Sequence, residues 1–225
     1  MAETADRAGH RPRLRERFLN APEALPDYEL LELFLFQAQP RKDMKPIAKA
    51  LLGRFGSFAA VIAADPAELK TVDGVGDATV VALKTIHEAA RRLARDVARA
   101  KPVLSNHEAV LDYCQASLGH GSTEQFRVLY LNRKNEIIHD ELQQRGTVDQ
   151  APVYPREVLK RALEHGATAL ILVHNHPSGD PTPSAADVAM TREVKEAAAK
   201  LGIELHDHLV VARGRHASLR SLGLI

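Results

Sequence analysis

Two histidines one residue apart, His174 and His176, close an apolar run in the stretch LVHNHPSGDPTPSAAD, and Ser184 and Asp187 follow in the same stretch. Alternate residues of an extended chain point to one side, so the two imidazoles can converge on one ion. Neutral imidazoles favour zinc among the common metals, and a zinc site built for catalysis uses three protein ligands and leaves a fourth position for water. Asp187 is the natural third ligand. The intervening PSGDPTPS supplies a glycine for an unusual backbone angle and prolines that stiffen the loop. Both features lower the entropy lost in bringing the third ligand back to the first two.

The same residues admit a plainer account. Ser184-Ala-Ala-Asp187 is the capping-box pattern of a helix start, which needs no metal. Histidines at strand ends are common as well. A capping box does not require two histidines beside it, however, nor a proline-stiffened loop leading back to it. Ser184 can cap a helix and serve a site at once.

For these groups to meet, a strand, a loop and a helix must follow in order. ATALILV is short and rich in branched apolar residues, the mark of a fully buried strand, and His174 and His176 sit where it emerges. Asp187 to Leu201 carries a helical pattern stopped by Gly202. Upstream, EQFRVLYLN alternates, NRKNEI offers a turn through Asn132 and Asn135, and IIHDELQQRGTV returns as the second strand of a hairpin. YPREVLKRALEHGA is a helix with Pro155 in its first turn and Gly166 at its end, and IELHDHLVVAR is a last strand. This half is α/β or α+β with a mixed sheet. Its last strand repeats the histidine spacing at His206 and His208. With no third ligand close in sequence, that pair is expected to play a structural part or to orient the first two histidines, rather than to form a second metal site.

The first half reads differently. LPDYELLELFLF starts at an expected cap, Asp27, and sets Leu30, Leu31, Phe34 and Leu35 along one stripe, and PIAKALLGRFGS opens with Pro46 and closes at glycines. An all-helical domain over residues 1–100 is expected, with a boundary where RRLARDVARAKP meets Pro102 and a second domain over 103–225.

Composition bounds the function classes. With 225 residues and 45% hydrophobic content, the chain can build one large core or two modest ones. It has no apolar stretch long enough for a bilayer, and its opening segment lacks the apolar centre of a secretion signal, so a cytoplasmic protein without membrane contact is expected. The single cysteine, Cys114, is expected to be a buried hydrophobe. A net charge of +1 does not mark the whole chain as a nucleic-acid binder. Local clusters must carry any such function.

The stretch HNHPSGDPTPSAAD resembles the JAMM signature of the MPN-domain metallopeptidases, and its wording is most similar to the bacterial RadC family. The similarity runs over YPREVLKRALEHGATALILVHNHPSGDPTPS to the late DHLVV, and the helical half is similar to that family's amino-terminal region. The resemblance implies an α+β chain, with an amino-terminal all-helical domain followed by a JAB/MPN-type mixed sheet flanked by helices, of cytidine-deaminase-like architecture. It implies one Zn(2+) per chain on His174, His176 and Asp187, with Ser184 helping to hold the developing oxyanion or the bound water. It also implies an upstream glutamate as general base. Glu124, Glu136, Glu141 and Glu157 lie in the right stretch; Glu124, just before a core strand, is favoured, with Glu141 next. Manganese or iron remains compatible with the same ligand types.

The helical half contains ELKTVDGVGDATVVAL, which resembles a helix-hairpin-helix motif near residues 66–88 with its turn at Gly74, Val75 and Gly76. In DNA-binding examples the backbone N–H groups of such a turn face a phosphate. Asp77 opposes that use by Coulomb repulsion. Two basic stretches, Arg7, Arg11, Arg13, Arg15 and Arg17, and Arg91, Arg92, Arg95 and Arg99, offer phosphate contacts or simply solvated faces. Two functions follow. The first is a zinc-dependent hydrolase cleaving a peptide or isopeptide amide in a substrate of unknown identity. The second is a DNA-associated repair or recombination accessory protein that works through the hairpin, with a structural or vestigial zinc site. Pairing into a homodimer is compatible with either.

Overall fold

The computed structural model describes residues 2–146 and 153–225, with side chains from residue 9 onward and without that of Arg145. Thr147 and Val148, expected at the end of a strand, and the side chain of Arg7 therefore lie outside the described part. The chain divides into two compact units, residues 1–88 and 89–225.

The first unit is helical: α1 (Ala2–Asn20), α2 (Asp27–Ala38), α3 (Lys45–Phe55), α4 (Phe58–Ala63), α5 (Pro66–Lys70) and the start of α6 (Asp77–Arg99). Its core gathers Leu14, Leu31, Leu35, Met44, Leu51, Val61, Leu69 and Leu83. The expected stripe on α2 is shifted. Leu31 and Leu35 are buried with Phe36 and Glu32, while Leu30 and Phe34 stand at the margin. Asp27 does not cap α2. Pro26 occupies the cap without a side-chain bond, and the Asp27 carboxylate instead accepts the Phe58 N–H at 3.3 Å, at the start of α4. The division between the units falls within α6, upstream of the proline-marked junction expected from composition. The physical reason lies in the helix's apolar face: Val80 and Leu83 join the first core, whereas Ala94 and Ala98 join the second.

The second unit is built on a mixed five-stranded sheet of order β2-β1-β3-β4-β5, made of β1 (Gln125–Leu131), β2 (Ile137–Arg145), β3 (Ala169–Asn175), β4 (Glu204–Ala212) and β5 (Arg215–Ser218). β1 pairs antiparallel with β2 and β3, β3 pairs parallel with β4, and β4 pairs antiparallel with β5. Side chains alternate between two cores, as the period of two in a strand requires. Leu129, Leu131, Ile171, Val173, Leu209 and Val211 pack with α7 (His107–Leu118). Phe126, Val128, Tyr130, Leu170 and Leu172 pack with α8 (Pro155–Glu164) and α9 (Ala185–Lys200). Being central, β3 is buried along its whole length, which is why its sequence is continuously apolar instead of alternating. β5 was not expected. It is four residues of RHAS behind a turn at Gly214, too short and too polar to announce itself. The α+β class read from the sequence is the one found.

Candidate metal centre

His174 stands on the last turn of β3's pleat toward the α8/α9 face and is 1% exposed. His176 lies just past the strand, where its N–H donates to the Val211 carbonyl at 2.9 Å and so continues the line of β3 beside β4. The loop that follows turns at Gly179, whose φ of 88° suits glycine, and Asp180 Oδ1 accepts both the N–H and the hydroxyl of Thr182. The loop then delivers Ser184 to the N-cap of α9.

The capping box expected from the sequence is present, and it also holds a ligand-type group. Ser184 Oγ accepts the Asp187 N–H at 3.1 Å, while the Ser184 N–H and hydroxyl both donate to Asp187 Oδ2 at 2.7 Å. Held in this way, the carboxylate approaches His174 Nε2 to 3.4 Å and His176 Nε2 to 3.7 Å. The two Nε2 atoms are 2.9 Å apart, with ring planes 64° from parallel. One arrangement therefore both caps α9 and presents a ligand-type carboxylate to the two histidines. Burial raises the Asp187 carboxyl pKa, but His174 beside it and the two donors of Ser184 outweigh burial and hold it well below the usual carboxylate range. Asp187 stays anionic.

Two imidazole nitrogens and a carboxylate turned toward one point fit a divalent cation. Nitrogens 2.0–2.1 Å from a tetrahedral ion sit roughly 3.3 Å from each other, a few tenths of an ångström from the spacing found. A second group, His139, Glu141 and His165, also brings ligand-type atoms together. Its geometry is wrong for a metal. The His139 and His165 rings are stacked at 3.8 Å and 17°, so their lone pairs run side by side and cannot meet at an ion lying in both planes. Arg161 also claims the Glu141 carboxylate, with Nε 2.8 Å from Oε2 and Nη2 on Oε1. That ion pair, followed by the contact with His165, lowers the Glu141 pKa to about 2 against the upward push of burial. Sequence reading missed His165 and Arg161 as its partners, because nothing on a distant helix signals a strand glutamate.

The four candidate glutamates separate clearly. Glu136 binds the Asn132 amide at 2.8 Å in the β1–β2 turn, at the end of β1 away from the histidines. Glu141 is committed to Arg161, and Glu157 lies in the first turn of α8 with Arg156 Nε at 3.2 Å. Glu124 is exposed and immediately precedes β1. Phe126 pairs with His174 across the sheet, and beyond that pair the Asn175 side chain accepts the Gln125 N–H at 2.8 Å and donates to the Thr123 carbonyl at 3.1 Å, so Glu124 stands at the end of β1 that faces the two histidines. His206 and His208 part company despite their spacing. The β3–β4 register slips between Leu170 and Ile171, and His206 Nε2 meets Asn135 Oδ1 at 2.6 Å while His208 Nε2 meets His174 Nδ1 at 2.8 Å. Cys114 is buried in the α7 core, where burial pushes its thiol pKa far up, and it takes no part in the site.

The site lies wholly inside residues 104–224, which match the family described as a RadC-like JAB domain. The chain is also 62% identical over 213 residues to a Rhodobacter capsulatus protein called "UPF0758 protein", covering 94% of this chain and all of the relative. The chain belongs to the RadC family. In RadC terms the JAB domain supplies β1 through β5, α8, α9 and the histidine-aspartate cluster. The helical unit precedes it. Among the described residues no helix is long and apolar enough to cross a membrane.

Proposed function

We propose that this RadC chain is a metallohydrolase of the JAMM type, cleaving a peptide or isopeptide amide bond with one zinc ion held by His174, His176 and Asp187. The supporting observation is the convergence of two Nε2 atoms and a carboxylate on one point, each held from behind by a hydrogen bond. When bound, zinc supplies Lewis acidity and lowers the pKa of water toward about 7.

The chain's own groups do the rest. Glu124 takes a proton from the attacking water and delivers it to the leaving amine; its exposure just before β1 gives it the freedom to do both. Ser184 aims the Asp187 carboxylate through its single hydroxyl hydrogen, and turning that hydrogen toward the reacting carbonyl oxygen lets the same group stabilise the oxyanion. Metal content per chain is the first test, on the unmodified protein and on His174→Ala with His176→Ala. Near one zinc in the first and none in the second is expected, with cleavage of a peptide or isopeptide panel lost on chelation. No bound metal in the unmodified protein, even after zinc is supplied, overturns the reading.

A second reading, DNA contact through the helical unit, is favoured by one observation. Gly74 turns at φ 82° between α5 and α6, and the Asp77 charge that opposes a phosphate is paired with Lys70 Nζ at 2.5 Å. Salt-dependent binding of duplex DNA that weakens on altering the Gly74-Val75-Gly76 turn is its expected signature. Absence of binding at low ionic strength removes it.

A further inference from the structure

Behind His174 lies a buried chain of hydrogen bonds with only one consistent direction. Thr191 Oγ is 2.5 Å from the backbone carbonyl of Asp187 and 2.6 Å from His208 Nδ1. His208 Nε2 is in turn 2.8 Å from His174 Nδ1. A carbonyl oxygen only accepts, so the single Thr191 hydroxyl hydrogen goes to Asp187. The Thr191 oxygen must then accept from His208, which requires the proton of that ring on Nδ1. A neutral His208 has no second proton, so its Nε2 accepts from His174 Nδ1–H.

The consequence reaches the metal position. With its proton on Nδ1, His174 turns a bare Nε2 lone pair toward His176 and Asp187. In the opposite direction, Thr191 would donate to His208 Nδ1, His208 would donate from Nε2 to His174 Nδ1, and the His174 proton would sit on Nε2, blocking ligation. Only one of the two directions opens the site.

We propose that Thr191 and His208 form an ordered relay, anchored on the backbone carbonyl of the ligand residue Asp187, that fixes His174 in its ligating tautomer. His208 and Thr191 are positioning residues in this scheme, which rests on the metal reading above. His176 reaches the same state by a shorter route, its Nδ1–H donating directly to the Asp180 carbonyl at 2.8 Å. Two backbone carbonyls thereby set both imidazoles. His208 and Thr191 are fully buried, and Phe126 lies against both rings, stacked on His174 at 6.3 Å and edge-on to His208 at 5.6 Å. With His174 1% exposed and His208 fully buried, the relay is shielded from solvent. The relay also ties the first ligand, on β3, to the first turns of α9 that carry the third.

Long-range proton–nitrogen NMR on the metal-free, full-length protein with labelled histidine, at about pH 8 where free imidazole is neutral, reads the relay directly. His174, His176 and His208 are all expected as Nδ1–H tautomers. Thr191→Val keeps the side-chain shape and removes the hydroxyl; it should return His174 to a tautomer mixture and weaken zinc binding about 10- to 100-fold in chelator competition, with Thr191→Ser restoring both. An Nε2–H His174 in the unmodified protein overturns the relay, as does unchanged zinc affinity and tautomer in Thr191→Val with a native circular dichroism spectrum. Nδ1–H tautomers in a protein that binds no zinc would leave the relay standing and remove the metal reading alone.

Discussion

His174 Nε2 faces His176 Nε2 across 2.9 Å while the Nδ1 atom of each is engaged elsewhere, on His208 and on the Asp180 carbonyl. Two imidazole nitrogens turned together beside the Asp187 carboxylate make the donor set that a divalent cation takes. Replacing Asp187 with alanine should therefore abolish stoichiometric zinc, read by elemental analysis. Retention of one zinc per chain in Asp187→Ala would place the third ligand elsewhere.

Glu124→Gln should leave zinc content unchanged and lower amide turnover by about 10²- to 10⁴-fold, the usual contribution of a general base. Glu141→Gln should leave turnover nearly intact, because its carboxylate is occupied by Arg161 and His165. The reverse pattern would transfer the base to Glu141.

Ser184→Ala removes a helix cap and the donor that aims Asp187. It should cost about 1 kcal/mol in urea unfolding and weaken zinc binding about 10-fold or more. A loss of stability with unaltered zinc affinity would reduce Ser184 to a cap.

The Glu141–Arg161 pair gives a pH signature. The folded-state pKa of about 2 lies below the ordinary 4.5, so folding favours the charged carboxylate. The stabilisation is full above roughly pH 5 and fades as the pH falls toward about 2. Arg161 is 39% exposed, so solvent screening keeps the pair's contribution small. Urea unfolding of the unmodified protein and Glu141→Gln should differ at pH 7, and the gap should close as the pH falls to about 2. A gap independent of pH would show that the ion pair is not its source.

The two hairpin glycines should behave differently. At Gly74 an added Cβ meets Ile47 Cδ1 at 2.9 Å and the backbone has φ 82°, so Gly74→Ala should destabilise by about 1–3 kcal/mol. Gly76 has open space around it, and Gly76→Ala should change stability by less than about 0.5 kcal/mol. Gly76→Ala is thus the cleaner probe of nucleic-acid contact, read by salt-dependent fluorescence polarisation.

Local signals in the sequence were enough for β3, the β1–β2 hairpin, α8 and α9, because strand period, turn asparagines, Pro155 and the Ser184 cap act over a few residues. The same locality explains the misplaced cap of α2: Asp27 is a good capping residue, but Pro26 takes the cap and the Phe58 N–H takes the carboxylate. A bond to a residue on another helix leaves no mark in the local pattern.

By itself the sequence determined the order of elements, the three ligand-type residues at the exit of β3 and the start of α9, and the stiff loop joining them. Only the tertiary structure decided which groups stand behind and around them. Parallel pairing of β4 beside β3 brings His208 to His174, and a register slip sends His206 to Asn135 instead. Packing of α8 against the sheet gives Glu141 its partner Arg161. These choices follow from burying two faces of one sheet at once, a condition set by residues far apart in the chain and therefore invisible to spacing alone.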